Sequence, residues 1–231
     1  MALSLFFDTG PLISLTMSRL IWVLPLLKKK FGGSFYITPA VQRELIEHPL
    51  TTKRFEFEAL ESLKLIREGT LEVYDKVSGS NVKSLAAVAN SSFFVNEKSV
   101  DVLQEGEMES VAGAFQEGSA VVVDERTLRL FIENPKEMKK LLEMRFKKNV
   151  TVDEKKMNNF SAQFKGLAII RSAELVGTAF RMGLLDGYLP QKPRGKELLL
   201  DSILWAVKVN GCAISEHEIE ELEEFLLKKK A

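Results

Sequence analysis

Short strand-like runs alternate with longer helical patterns along most of the chain. This alternation is the feature of the sequence that most restricts which folds the chain can adopt. Residues 3–7, 34–38 and 121–123 are largely apolar runs of strand length. Continuous apolar runs are typical of strands buried on both faces of a parallel sheet. The sequence therefore predicts an α/β fold, a three-layer α/β/α sandwich with a mainly parallel central sheet between helices.

The remaining pattern completes this fold. The sequence predicts one long helix over residues 12–30, bent at Pro25, an edge strand over 71–74 and a further strand over 167–170. Residues 91–95 fit either a strand or the end of a helix. Further helices are predicted over residues 39–47, 55–68, 83–89, 105–116, 125–133, 173–185, 196–210 and 215–230.

The composition changes at Pro135, which suggests three regions. Residues 134–165 are rich in Lys, Glu and Met and poor in strong core residues, as expected of a helical insert. Residues 1–133 would then form the catalytic core, and residues 166–231 the final strand and a set of C-terminal helices. The lysines between 139 and 156 fit a phosphate-binding face and a solvated face equally well.

Composition limits the chemistry that the chain can perform. A single cysteine excludes an internal disulfide framework and a Cys-rich zinc site, and two histidines argue against a His-based metal cluster. Lys plus Arg equals Asp plus Glu, 32 against 32, so net charge gives no sign of a nucleic-acid or membrane partner. Acid–base chemistry must therefore depend on carboxylates, lysines or a bound metal.

No targeting or membrane segment is predicted. The first residues lack a basic region and carry an acid at position 8, unlike a signal peptide. The longest apolar stretch, residues 12–27, contains Arg19 and is too short for a membrane span. These features predict a cytoplasmic protein without a membrane partner, and the high Lys and Glu content hints at a thermophilic, archaeal source.

Five acids are candidate site residues because of where they fall in the predicted fold. Asp8 and Asp124 directly follow predicted strands, at the sheet edge where α/β proteins bind ligands. Glu44 lies one turn into the helix after the second strand, and Glu107 and Glu109 lie near the start of a helix with small residues. Clustered carboxylates repel one another unless they hold a cation, and Mg²⁺ and Mn²⁺ prefer such oxygen ligands.

Each acid also has a simpler interpretation, which the sequence leaves open. Asp8 and Asp124 are good N-cap residues for the helices that follow them. Glu44 and the pair Glu107 and Glu109 could be ordinary solvated helix residues. Arg126 could contact a nucleic-acid backbone or form a surface salt bridge.

The acids lie in four segments that occur in a familiar order. The segments are Phe6-Phe7-Asp8-Thr9-Gly10-Pro11-Leu12-Ile13, Thr38-Pro39-Ala40-Val41-Gln42-Arg43-Glu44-Leu45, Gly106-Glu107-Met108-Glu109-Ser110-Val111-Ala112 and Val122-Val123-Asp124-Glu125-Arg126. In this order and spacing they resemble the PIN domains, metal-dependent nucleases that include the toxins of VapBC toxin–antitoxin pairs and archaeal and eukaryotic RNA-processing enzymes. The resemblance covers roughly residues 3–131, with a weaker similarity over 166–189.

The resemblance implies an activity and a set of roles. It implies an endoribonuclease with one or two Mg²⁺ or Mn²⁺ ions, in which an activated water cuts RNA to leave a 5′-phosphate and a 3′-hydroxyl. Asp8, Glu44, Glu107 and Asp124 would be catalytic and would bind the metal. A further metal ligand would be Glu109, and the hydroxyl of Thr9 would orient Asp8.

The chain departs from the commonest pattern of these domains, and the departures leave alternatives open. The third acid is Glu rather than Asp, so either Glu107 or Glu109 fits that position, and the chain is far longer than a single-domain toxin. A homodimer, an antitoxin and an RNA-processing partner are all compatible with the resemblance. Two alternatives are a catalytically silent RNA- or protein-binding module, with residues 198–205 as an apolar partner surface, and a phosphatase-type hydrolase.

Overall fold

The structure, a computed structural model, describes residues 3–228. Its strands, in chain order, are β1 (Ser4–Phe7), β2 (Ser34–Ile37), β3 (Glu72–Val73), β4 (Phe93–Val95), β5 (Lys98–Ser99), β6 (Ala120–Val122), β7 (Val150–Val152) and β8 (Ile169–Ile170). Its helices are α1 (Thr9–Met17), α2 (Val23–Phe31), α3 (Pro39–Gln42), α4 (His48–Leu50), α5 (Glu56–Arg67), α6 (Gly79–Asn90), α7 (Glu105–Gln116), α8 (Arg126–Glu133), α9 (Met138–Phe146), α10 (Glu154–Gln163), α11 (Ser172–Arg181), α12 (Gly195–Val209) and α13 (Glu216–Leu227). A π-helical turn (Arg43–Glu47) joins α3 to α4, and two 3₁₀ turns are Pro135–Glu137 and Asp186–Tyr188.

The central sheet has five parallel strands in the order β3-β2-β1-β6-β8. Strand β1 lies in the middle, where it pairs with β2 on one side and β6 on the other. Helices cover both faces of the sheet, so the predicted three-layer α/β/α sandwich is confirmed.

Alternating residues of the central strands build two separate cores. Phe6 and Phe7 are both fully buried, but they enter different clusters because successive side chains of a strand point to opposite faces. Phe7 packs with β2, α1, α2 and the C-terminal helices, whereas Phe6 packs with α6, α7 and the elements of residues 126–164. Apolar residues are therefore required at Leu5, Phe6 and Phe7, the three buried positions of β1, which explains the apolar run in the sequence.

The predicted long helix over residues 12–30 is two helices. The break follows Met17, where Arg19 takes a left-handed conformation with φ 58° and Leu20 donates its N–H to the carbonyl of Leu15. Pro25 is the third residue of α2, a position at which its missing N–H costs no hydrogen bond. The chain thus changes direction before Pro25 rather than bending at it.

The inserted segment contains a strand as well as the predicted helices. Strand β7 pairs antiparallel with β4, which pairs with β5, so residues 91–95, left open by the sequence, form a strand in a second sheet of order β5-β4-β7. Helix α10 packs on α6 and α8, and the rings of Phe131 and Phe160 lie 4.3 Å apart between centroids. The segment therefore shares the second core with the rest of the chain.

Two findings concern the ends and the membrane prediction. The last helix ends at Leu227, and residues 229–231 of the predicted C-terminal region, like residues 1–2 of the predicted core, lie outside the described residues. Between residues 3 and 228, no helix is long and apolar enough to cross a membrane.

Replacing Phe160 by Ala tests whether the inserted segment is part of one cooperative unit. Phe160 is fully buried against Phe131, so we expect the free energy of unfolding to fall by about 3–5 kcal/mol in urea denaturation. Phe57→Ala, at a side chain 70% exposed on α5, is the control and should change it by less than about 0.5 kcal/mol. A Phe160→Ala midpoint equal to that of the wild type would show that residues 134–165 fold independently.

Candidate functional site

Two of the five acids meet at the carboxyl end of neighbouring strands. Asp8 follows β1 directly, and Asp124 lies two residues beyond β6. The strands remain in contact past their ends, because the N–H of Asp8 donates to the carbonyl of Val122 over 3.0 Å. Both carboxylates are buried, with 5% and 1% exposure, and a Cβ atom on Gly10 would lie 3.6 Å from Asp8 Oδ2 and 3.7 Å from Asp124 Cβ.

Asp8 caps a helix and is also electrostatically strained. It is the N-cap of α1, where its carboxylate accepts a long hydrogen bond of 3.5 Å from the N–H of Gly10, so the simpler capping role is real. The pKa of Asp8 is raised from 3.8 to about 6, mainly by burial and to a smaller extent by the charges of Glu44 and Asp124, while the N–H groups of Thr9 and Gly10 act in the opposite direction. Capping alone does not explain why a carboxylate is buried here, since Asn and Ser cap helices equally well without the cost of a buried charge.

Glu44 reaches the same region from an irregular helix. It lies in the π-helical turn between α3 and α4, a kind of turn that is rare and frequent at functional sites. Although the residue is exposed, its Oε2 accepts a 2.8 Å hydrogen bond from the hydroxyl of Thr9. The resemblance implied that this hydroxyl orients Asp8; it binds Glu44 instead, because Glu44 lies above the start of α1.

The carboxylate of Glu44 occupies space that is free because Gly106 has no side chain. A Cβ atom at this second residue of α7 would lie only 2.7 Å from Glu44 Oε1. Any other residue at position 106 would therefore push the carboxylate away. The contact joins the start of α7, and with it Glu107, to the region around Asp8.

Glu107 and Glu109, which the sequence could not separate, have different surroundings. Glu107 is half-buried, and its Oε2 accepts a 2.8 Å hydrogen bond from the N–H of Gln104. Burial raises the pKa of Glu107 from 4.5 to about 7, and the charges of Asp8, Glu125 and Glu44 add to the rise. Glu107 is therefore the residue that faces the other acids.

Glu109 has a structural partner. Its Oε2 accepts a 2.8 Å hydrogen bond from the N–H of Ala40, in the first turn of α3. This bond ties α7 to the helix that leads to Glu44. Glu109 therefore helps to hold the N-terminus of α3 in place. No local pattern in the sequence indicates this contact.

Asp124 is held by a residue that the sequence did not single out. Its two oxygens accept 2.8 Å hydrogen bonds from the N–H and the hydroxyl of Ser172, the first residue of α11. Asp124 does not cap α8, so the simpler interpretation was wrong. Glu125 caps α8 instead, accepting from the N–H of Leu128 over 2.8 Å and from the hydroxyl of Thr127 over 2.6 Å.

We call Asp8, Glu44, Glu107 and Asp124 the acid cluster. Carboxylate oxygens are the ligands that Mg²⁺ and Mn²⁺ prefer, and the raised pKa values of Asp8 and Glu107 are the cost of burial and of their shared negative charge. In charge and donor type the cluster fits a hard cation. Across residues 3–228, however, no three His, Cys, Asp or Glu side chains converge closely enough to hold one metal ion, so the metal ligands stay a prediction.

Comparison with known proteins identifies no relative: no family model, curated protein or solved structure matches the chain.

Replacing Asp8 by Asn should stabilise the metal-free protein at high pH. The folded-state pKa of about 6 lies above the unfolded value of 3.8, so ionisation costs stability that grows as pH rises through this window and is complete above it. Asn keeps the cap but carries no charge. We expect the free energy of unfolding in EDTA to rise by about 1–3 kcal/mol at pH 8 and to change little at pH 3.5.

The control for this prediction is Asp101→Asn, at an exposed position outside the acid cluster. It should show no such dependence on pH. A loss of stability in Asp8→Asn that is equal at both pH values would show that the charge of Asp8 is not under strain.

Proposed function

We propose that the protein is a Mg²⁺- or Mn²⁺-dependent endoribonuclease whose active site is the acid cluster. One observation carries the proposal: acids from four separate segments lie at the carboxyl edge of the sheet, where burial and mutual repulsion raise two of their pKa values. Strongly perturbed carboxylates in such a place are typical of functional sites. The resemblance of the same four segments to PIN domains supplies the reaction class.

The positions of the acids suit different tasks. The donors Thr9 and Ser172 fix the carboxylates of Glu44 and Asp124, so these two are oriented before any ligand arrives. Without a cation the pKa of Glu107 is about 7, so a cation that binds there near neutral pH would displace its proton. The Oε2 atom of Glu107 is bound to the N–H of Gln104, which leaves Oε1 as the oxygen that would face the cation.

A divalent cation, when bound, offsets the charge of the carboxylates and of the phosphodiester and lowers the pKa of water. Asp8, Glu44, Glu107 and Asp124 would hold it, and Glu109 keeps α7 and α3 in register. The reaction breaks the bond between phosphorus and the 3′ oxygen, leaving a 5′-phosphate and a 3′-hydroxyl.

The alternative function is a catalytically silent binding module, and one observation favours it. An apolar cleft of about 450 Å³ opens beside Glu44 and is lined by Ile13, Met17 and Phe55, all exposed. The apolar surface expected on residues 198–205 is smaller than predicted, because Leu199, Leu200 and Ile203 are buried in the core. Leu198 and Trp205 remain exposed there.

Cleavage of labelled single-stranded RNA tests the proposal directly. We expect the wild-type protein to cut an RNA pool in Mn²⁺ and to lose this activity both in EDTA and in Asp8→Asn, which removes a buried acid. Asp101→Asn should cut like the wild type. No cleavage by any of the proteins would favour the binding module, and release of phosphate from small phosphoesters instead would indicate a phosphatase.

Gly106→Ala tests whether the position of Glu44 matters for activity. The added methyl group would lie 2.7 Å from Glu44 Oε1, so the carboxylate must move. We expect the rate of RNA cleavage to fall by about 10- to 100-fold, since displacements of about 1 Å have such effects in active sites. Thermal stability should change little, because the neighbouring atom belongs to a flexible side chain.

Gly79→Ala is the matched control. Gly79 also lies in the first turn of a helix, α6, but a Cβ atom there meets nothing within 4 Å. Equal activity of the two variants would contradict a catalytic role for Glu44 at its observed position.

A further inference from the structure

A cleft of about 590 Å³ lies at the free edge of the central sheet, and its use is not explained by the acid cluster. It is bounded by α8, by the edge strand β8 and by the start of α13. Arg126, Arg129, Ile169 and Ser215 are among its lining residues. We call it the edge cleft. Its volume is in the range of small-molecule sites in proteins.

The edge cleft lies next to Asp124, one member of the acid cluster. Arg126 is two residues beyond Asp124, on the first turn of α8. On another wall, the N–H of Ala213 donates a 3.0 Å hydrogen bond to the backbone carbonyl of Asp124. A strand of substrate that crosses the acid cluster on this side would therefore enter the edge cleft.

Two acids in the edge cleft share one arginine of the protein. Arg171 binds Glu174 over 2.5 Å and Glu218 over 2.6 Å. Each glutamate also accepts a 2.8 Å hydrogen bond from a backbone N–H at a helix start, Glu174 from Arg171 and Glu218 from Ser215. These three side chains form one ion-pair group with a net charge of −1, so Arg171 is not available to an anionic ligand and any positive charge for one must come from α8.

The two arginines of α8 are not neutralised in this way. They are three residues apart and so lie on the same face of the helix. Within the described chain, no carboxylate oxygen lies within the 4.0 Å of an ion pair from Arg126 or Arg129, although Glu133 also lines the cleft. The Nε atom of Arg129 is buried without a hydrogen-bond acceptor among residues 3–228. Most buried donors in proteins have a partner, so this donor indicates a place for an acceptor that the described chain itself does not supply.

We propose that Arg126 and Arg129 bind a backbone phosphate of the RNA strand in the edge cleft, next to the phosphodiester that the acid cluster cleaves. The inference rests on the proposed function for the identity of the strand. Guanidinium groups suit phosphate because their N–H donors match its oxygens in pairs. The two arginines would also supply local positive charge, which a chain with zero net charge requires if it is to attract RNA.

The test is the salt dependence of RNA binding by the full-length protein, measured in EDTA so that cleavage does not interfere. For single strands, the slope of log affinity against log salt becomes shallower by about 0.7 for each phosphate that the protein no longer neutralises. We expect the Arg126→Ala/Arg129→Ala double variant to bind a fluorescent single-stranded RNA at least tenfold more weakly than the wild type. We also expect its slope to be shallower by about 0.7, the value for one phosphate.

Two further variants control for misfolding and for a general decrease in positive charge. Arg126→Glu changes an exposed side chain, so it should fold normally and still weaken binding if the double variant is unstable. Arg67→Ala removes an exposed arginine at the end of α5, which leads to the opposite edge strand β3, and should leave affinity and slope unchanged. Equal affinity and slope for wild type, Arg126→Glu and the double variant would overturn the proposal.

Inorganic phosphate distinguishes a strand phosphate from a free anion site. Weak calorimetric binding of phosphate that disappears in the double variant, together with the change in RNA slope, supports the proposal. Phosphate binding without any change in RNA slope overturns it. A changed slope in a protein that cuts no RNA would keep the edge cleft and reject the nuclease, whereas metal-dependent cleavage with an unchanged slope would reject the cleft alone.

Discussion

The parallel pairing of β1 with β6 is the constraint on which the candidate site depends. It brings the ends of two buried strands side by side, so that Asp8 and Asp124 lie close together under the surrounding helices. The pairing is fixed by packing, because alternate residues of both strands enter the two cores and a shift by one residue would exchange them. The hydrophobic effect therefore holds together two charges that repel each other.

The surrounding helices reduce this repulsion unequally. Asp124 receives two short hydrogen bonds from Ser172, whereas Asp8 receives one long bond from Gly10. Hydrogen bonds to charged groups contribute about 1.5–3 kcal/mol each, so the protein compensates Asp124 well and Asp8 poorly. The charges of both Glu44 and Asp124 act on this poorly compensated acid, which is where a cation would relieve the most strain.

The parts of the fold that depend on local pattern were predictable from the sequence. The central strands were recognisable because a strand buried on both faces must be apolar throughout, and Asp8 and Asp124 followed as the polar residues at two of their ends. The pairing of β4 with β7 was not predictable, because it joins residues 93–95 to 150–152 through contacts distant in sequence. The break after Met17 was missed for a different reason, since Arg19 is an unusual residue in a left-handed conformation.

Within the site, the acids were predictable and their partners were not. The bonds from Thr9 to Glu44 and from Ala40 to Glu109 join residues 35 and 69 positions apart, and no local signal announces them. The second contact distinguishes the two glutamates that the sequence could not separate, since it gives Glu109 a partner on α3, but which of them binds a metal stays a prediction. The bond from Thr9 to Glu44 in particular cannot be inferred from the position of Thr9 next to Asp8.

The acid cluster is negatively charged, whereas Arg126 and Arg129, unpaired among the described residues, place positive charge on the α8 wall of the edge cleft, and this arrangement bears on how a protein of zero net charge would bind RNA. Without a cation, the acid cluster repels phosphate, so its affinity for a strand must be poor. Arg126 follows Asp124 by two residues, so their Cα atoms lie at most about 7 Å apart. The two sites would then act in sequence. The arginines would hold the strand at one phosphate, and the cation would offset the repulsion between the neighbouring phosphate and the carboxylates. Affinity would then depend mainly on the edge cleft, and turnover on the acid cluster.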